Sequence, residues 1–437
     1  MRIVLAFITA LIVSTAAPAD DWPQWMGPQR DNVWREKGII DTFPKAGPKV
    51  LWRAKIFPGF SGPAVADGMV FITDFVTSAD INDKGNFDRK SKFEGKERIL
   101  CFDAKTGEFK WKHDYPCSLT ISYPNGPRCT PNYDNGKVYT LGAEGDLFCF
   151  EAKTGKILWS RDLKKDYGVK APLWGFAAHP LIDGDRLVCI VGGKGSVAVA
   201  FDKNTGKEIW KALDQGEDGP GYSPPTIIES AGIRQLLIWH PESLNSLNPE
   251  TGAVYWTFKQ ATVNGTAIMA PRKLGDFLYI GAWMNKSALI KLDATKPGAA
   301  LAWKGNLRNS VYPVNNTPFL EDGHIYGVCN DGELRCVSMK DGDRVWETYK
   351  PVVGAEAQSG TAHLVKHEDR FLIFAETGHL IIAKLSPKGY DEVSRWQMLA
   401  PTALIFGRDV AWSHPAFANQ CVYARNDKDL VCVSLAK

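Results

Sequence analysis

The sequence predicts an all-β fold: an eight-bladed β-propeller with four antiparallel strands per blade. An N-terminal strand is expected to join the C-terminal blade and close the ring. Three observations carry this. A phrase made of an acidic or polar residue, two further residues, Thr-Gly and a strand ending in Trp recurs roughly every 50 residues. Upstream of it recurs a pair of apolar strands around an Asp-Gly or Asn-Gly turn, a strong hairpin signal. The two chain ends carry complementary fragments of one such unit. Internal repeats of this length mark propellers and solenoids, and a split unit has a purpose only if the ring closes.

The first element is a targeting segment. Arg2 precedes the apolar run Ile3 to Val13, and Ala17-Pro18-Ala19 supplies small residues for cleavage. Residues 1–19 are therefore expected to be a signal peptide, with Asp20 opening the mature chain in the periplasm or outside the cell. That run is too short to span a bilayer comfortably, and no later stretch approaches its length, so no transmembrane span is expected. No Cys follows it to take a lipid anchor. Residues 20–47 form a leader expected to pack on the propeller, and 48–437 form the propeller itself.

The repeat then runs through the chain. Cys101-Phe102-Asp103-Ala104-Lys105-Thr106-Gly107 leads to Trp111, and Cys149 to Gly155 leads to Trp159. Further copies end at Trp210 and Trp256, and weaker ones at Trp303, Trp346 and Trp396. The acidic side chain can bond amides across the turn, and Gly takes the positive φ of a tight hairpin. Trp offers a large apolar face to the adjoining sheet. Trp52 ends a strand with no three strands before it. Pro415 to Val433 supplies three strands with no Trp strand after them. Together these ends make the eighth blade.

The repeated Asp-x-x-Thr-Gly-x-x-x-Trp resembles the PQQ-like (pyrroloquinoline quinone) repeat of quinoprotein alcohol dehydrogenases and of BamB-like outer-membrane assembly propellers. Asp21-Trp22-Pro23-Gln24-Trp25-Met26-Gly27-Pro28 resembles the leader of an exported BamB-like subgroup of planctomycete and verrucomicrobial type. The Trp-Asp signature of WD40 repeats is missing. The resemblance implies the fold; function must come from sites carried on it.

The dehydrogenase branch implies a quinone, a calcium ion and a carboxylate base in the funnel, often beside a pair of adjacent cysteines. The chain has no Cys-Cys pair and no Cys-x-x-Cys-His. Asn315, Asn316, Glu356 and Asp409 are the candidate calcium ligands, since calcium takes hard oxygens. Each also reads as a solvated loop residue. His363 and His367 lie about 13 Å apart along a strand, too far for one ion. His179 and His414 each precede a Pro at a blade entrance and read as turn or packing residues.

Nine Cys are present. Cys101, Cys149, Cys336 and Cys432 share one repeat position, which argues for small buried packing residues. Cys117 and Cys129 flank a loop, and export makes a disulfide between them as reasonable as two free thiols.

Function is expected where the loops between blades gather around the channel mouth. Three residues before each entrance Pro, or its equivalent, stand Phe60, Arg128, Ala177, Tyr222, Ile268, Asn315, Ser359 and Trp412. With Trp174, Asn316, Gln358, Arg408 and Asp409, the polar and aromatic members of this series are candidate binding residues. They equally suit a plugged channel. Net charge is +3 with both signs mixed, giving no electrostatic case for nucleic acid. The leading expectation is a monomeric, non-catalytic binding or scaffold protein of the cell envelope, with no cofactor. Its partner would be an envelope protein, a peptide or polymer, or a small ligand. The alternative is a PQQ- and calcium-dependent dehydrogenase of an alcohol or sugar.

Overall fold

A computed structural model describes residues 20–81, 92–306 and 308–437. The expected signal peptide lies outside these residues. Eight four-stranded antiparallel sheets form the ring. Blade 1 runs Ala64–Ala66, Met69–Val76, Phe93–Asp103 and Phe109–Leu119, from inner to outer strand. Blades 2 to 7 repeat this order over residues 132–162, 181–212, 226–259, 272–304, 319–348 and 362–397. Blade 8 takes Ala416–Ala418, Cys421–Arg425 and Asp429–Ser434 from the C-terminus, and Val50–Lys55 from the N-terminus is its outer strand. The ring closes where the sequence said it would, with Trp52 opposite Cys432.

The repeat phrase acts as a staple between blades. Asp103 Oδ1 accepts from the amides of Lys105 and Thr106, each at 3.0 Å, which fixes the turn. Trp52 Nε1 then reaches from blade 8 to the Ala104 carbonyl of that turn at 3.0 Å. Trp111 bonds the Ala152 carbonyl at 2.8 Å, and Trp159, Trp210, Trp303 and Trp346 reach the next blade in the same way. In five of these turns, at Gly107, Gly155, Gly206, Gly252 and Gly342, the glycine is a seat for the ring. Gly155 has φ +71°, and a methyl group there would lie 2.5 Å from the Trp111 indole.

Two junctions depart from the pattern. Trp256 bonds Gln235 of its own blade at 2.9 Å rather than the following turn, Asp293 to Gly298. Trp396 faces blade 8, whose outer strand comes from the other chain end and offers no such turn. Gly47 of the leader, at φ +80°, sits on Trp396 instead.

The leader runs across one end of the ring. Trp22 pairs with Val65 of blade 1, and Arg30 donates to the Pro180 carbonyl of blade 3 at 2.9 Å. Val33 bridges Lys366 of blade 7, and Ile39 bridges Ala436 beyond blade 8. The inter-blade residue 163–167 segment adds one helical turn, Leu163–Tyr167, capped by Asp162. A small extra hairpin, Ala403–Ile405 with Arg408–Val410, stands between blades 7 and 8. Asp409, expected in a loop, lies in its second strand.

All nine cysteines are free and buried. Of the two readings of Cys117 and Cys129, the structure has the free thiols. Cys117 sits in the outer strand of blade 1, opposite Gly95, while Cys129 directs its thiol to the Phe176 carbonyl at 3.5 Å. Burial raises both thiols far above their ordinary range, so neither is a ready thiolate.

Candidate functional site

Each crossing from an outer strand to the next inner strand passes over the channel, so one repeat position faces the axis eight times. All eight residues aligned three before the entrance Pro line a single cavity of about 290 Å³ at the mouth. Of the candidate binding residues, Phe60, Arg128, Trp174, Tyr222, Asn315, Gln358 and Trp412 are in its wall. Asn316, Arg408 and Asp409 are not. Asn316 turns inward to the Val328 carbonyl at 3.0 Å and is buried. Asp409 is exposed on the extra hairpin, opposite Leu404. Arg408 pairs with buried Glu376 at 2.8 Å and donates to the Gln358 carbonyl at 2.7 Å, so it ties the hairpin down.

The cavity has two unlike halves. Blades 8 and 1 to 4 supply rings: Phe406, Trp412, Phe60, Tyr123, Trp174 and Tyr222. They hold one another edge to face or tilted, with centroids 5.2 Å apart for Trp174–Tyr222 and 6.0 Å for Phe60–Trp412. Trp412 is further fixed by a 3.0 Å bond from Nε1 to Glu376. Blades 5 to 7 supply Asn264, Thr266, Asn315, Asn330, Gln358 and Ser359, with Trp283 beside them. Arg128 lies in the aromatic half, its guanidinium 5.4 Å from the Phe60 ring. It donates to the carbonyls of Ser122, Tyr123 and Gly126 and has no carboxylate partner among the described residues. Burial lowers its pKa to about 10, so it remains a cation at neutral pH.

The floor was missed by residue-by-residue reading. His179 and His414 occupy one repeat position, immediately before the entrance Pro, and both line the cavity. His363 stacks against His414 with centroids 3.9 Å apart. Beneath them Trp25 of the leader stacks on His179 at 4.7 Å and meets His414 edge to face. The bonds fix protonation. His179 Nδ1 accepts from the Thr130 amide at 3.0 Å, and His363 Nε2 donates to the Trp412 carbonyl at 3.0 Å. Burial lowers His363 to about 4 and holds His179 and His414 well below their ordinary value. Three neutral imidazoles and an indole therefore seal the bottom. The signal lay in the shared position of His179 and His414; their convergence with His363 and Trp25 has no local trace.

Among the described residues no Asp or Glu lines this cavity. Glu356 and Asp409 are exposed away from it, so the four candidate calcium ligands do not converge. Cys329, Asp331 and Glu333 of blade 6 have metal-ligand spacing, but Glu333 is already paired with buried Arg335.

A family model described as outer membrane protein assembly factor BamB matches residues 95–266 and 240–437. The outer membrane protein assembly factor BamB of Shewanella oneidensis is 24% identical over 168 residues. That stretch is 36% of this chain and spans 40% of the relative's length. The crystal structure of BamB from Moraxella catarrhalis is similar in fold, with TM-score 0.57 and 14% identity. The likeness covers 88% of this chain and 97% of that one. A europium-containing methanol dehydrogenase is similar at TM-score 0.60 and 12% identity, over 95% and 89% of the two chains.

Proposed function

This chain belongs to the PQQ-like repeat family described as outer membrane protein assembly factor BamB, and from that premise we propose a non-catalytic binding role in the cell envelope. A partner or ligand is held at the channel mouth, and the protein acts as a monomer after loss of residues 1–19. The observation that supports this reading is the composition of the cavity: rings, neutral amides and one arginine, with no carboxylate among the described residues. Such a lining binds and orients but offers no acid or base poised for proton transfer near neutral pH, its histidines being buried and neutral. No helix among the described residues is long and apolar enough to cross a membrane.

The methanol dehydrogenase likeness raises the question of quinone and calcium, and the residues here do not fit them. Calcium asks for several hard oxygens, usually with carboxylates among them. The nearest buried acid, Glu376, is committed to Arg408, Trp412 and the Thr361 amide. No oxidative step follows from this site.

The test is capture from envelope extract by the mature chain, compared with Trp412→Ala, Trp174→Ala and the distant surface change Lys156→Ala. A partner retained by the last and lost by the first two supports the reading. Retention by all three sinks it, as does calcium-dependent dye reduction with added quinone.

A further inference from the structure

Resting on the reading of the cavity as a binding site, we propose that its ligand is a single hexuronate, a sugar ring bearing a carboxylate. The argument starts from size. A volume of about 290 Å³ stands at the low edge of the ~300–1,000 Å³ usual for small-molecule pockets. It admits one ring-sized unit. At its base His179, His363, His414 and Trp25 pack ring against ring, an arrangement that suits a free unit or a chain end rather than a threaded polymer.

The two halves then select the chemistry. A sugar ring has an apolar C–H face and a rim of hydroxyls. The face suits Trp174, Tyr222 and Trp412; the rim suits the amides of Asn264, Asn315 and Gln358 opposite. Amides both donate and accept, as hydroxyls do. Asn315 Nδ2 has no hydrogen-bond partner among the described residues, and a flat aromatic ligand would leave such a buried donor unsatisfied. Arg128 supplies the last requirement. Its guanidinium donates to three carbonyls, forms no ion pair among the described residues and stands in a lining whose described residues include no carboxylate, so a ligand carboxylate meets a cation there. A neutral hexose would leave that charge unanswered.

The experiment titrates the mature chain with glucuronate, glucose and benzoate, followed by intrinsic Trp fluorescence, since Trp174, Trp283 and Trp412 face the cavity. Saturable binding of glucuronate, at least tenfold tighter than glucose and tighter than benzoate, is the expected result. Asn315→Ala and Gln358→Ala, checked for unchanged melting, should weaken glucuronate at least fivefold and leave benzoate unaffected. Benzoate binding as tightly as glucuronate, or no glucuronate binding at 50 mM, overturns the proposal. A tetragalacturonate arm distinguishes a chain end, which binds tighter than the galacturonate monomer, from a free sugar acid, which does not; both keep a uronate in the site. Failure here with partner capture still lost in Trp412→Ala removes the sugar and leaves the binding role standing.

Discussion

His363 and Glu97 are buried groups whose protonation pulls stability in opposite directions with pH. His363 is lowered from 6.5 to about 4, chiefly by burial, so the unfolded chain binds its proton more readily. Its contribution is complete above pH 6.5 and lost as pH falls toward 4, amounting to up to about 3 kcal/mol. Glu97 is raised from 4.5 to about 7, again chiefly by burial, although Tyr115 and the Ala143 amide bond it. Here the folded state holds the proton more tightly, so stability falls as pH rises from 4.5 to 7. Urea melts from pH 4 to 8 should show His363→Asn flattening the acid side. Glu97→Gln, which keeps both bonds possible, should be more stable than the parent at pH 8 by up to about 3 kcal/mol. Equal shifts at pH 5 and pH 8 for either variant would contradict these assignments.

At the scale of the element, the repeat works through the partnership of a turn with the preceding blade's Trp. The third strand contributes too: Cys101, Cys149, Cys336 and Cys432 each pair directly across from their blade's Trp. Ala200 and Ser246 do so opposite Trp210 and Trp256. Six of the eight blades thus set a small side chain opposite the indole, whereas Leu289 and Leu380 stand opposite Trp303 and Trp396. Trp111→Ala should cost about 3–5 kcal/mol through the lost ring and the orphaned Ala152 carbonyl. Trp256→Ala, with no bond to the next blade, should cost less. Gly155→Ala should also destabilise, but combined with Trp111→Ala it should cost less than the sum, because the clash goes with the ring. Chemical denaturation of the three variants and the double variant measures the coupling; strict additivity would show that Gly155 does not seat Trp111.

For the molecule as a whole, closure and sealing are separable. A chain beginning at Lys49 keeps Val50–Lys55, whereas one beginning at Pro58 leaves the strand Asp429–Ser434 as an open edge. The first should elute as a folded monomer and the second should self-associate through that edge, as light scattering on the eluting species would report. Equal behaviour would mean the split blade contributes nothing to closure. The sequence by itself determined the blade number, the split blade, the structural cysteines and the eight positions that face the axis. All of these repeat, and a repeat turns one local preference into a pattern visible without coordinates. The tertiary structure alone decided what the axis holds. His179, His363, His414 and Trp25 come from blades 3, 7 and 8 and from the leader, and only ring closure makes them neighbours. It also took Arg408, Asp409 and Asn316 out of the wall, since a hairpin and an inward turn there follow from contacts across blades. The same chain of contacts divides the mouth into an aromatic half and an amide half, a property of the circle that no single repeat contains.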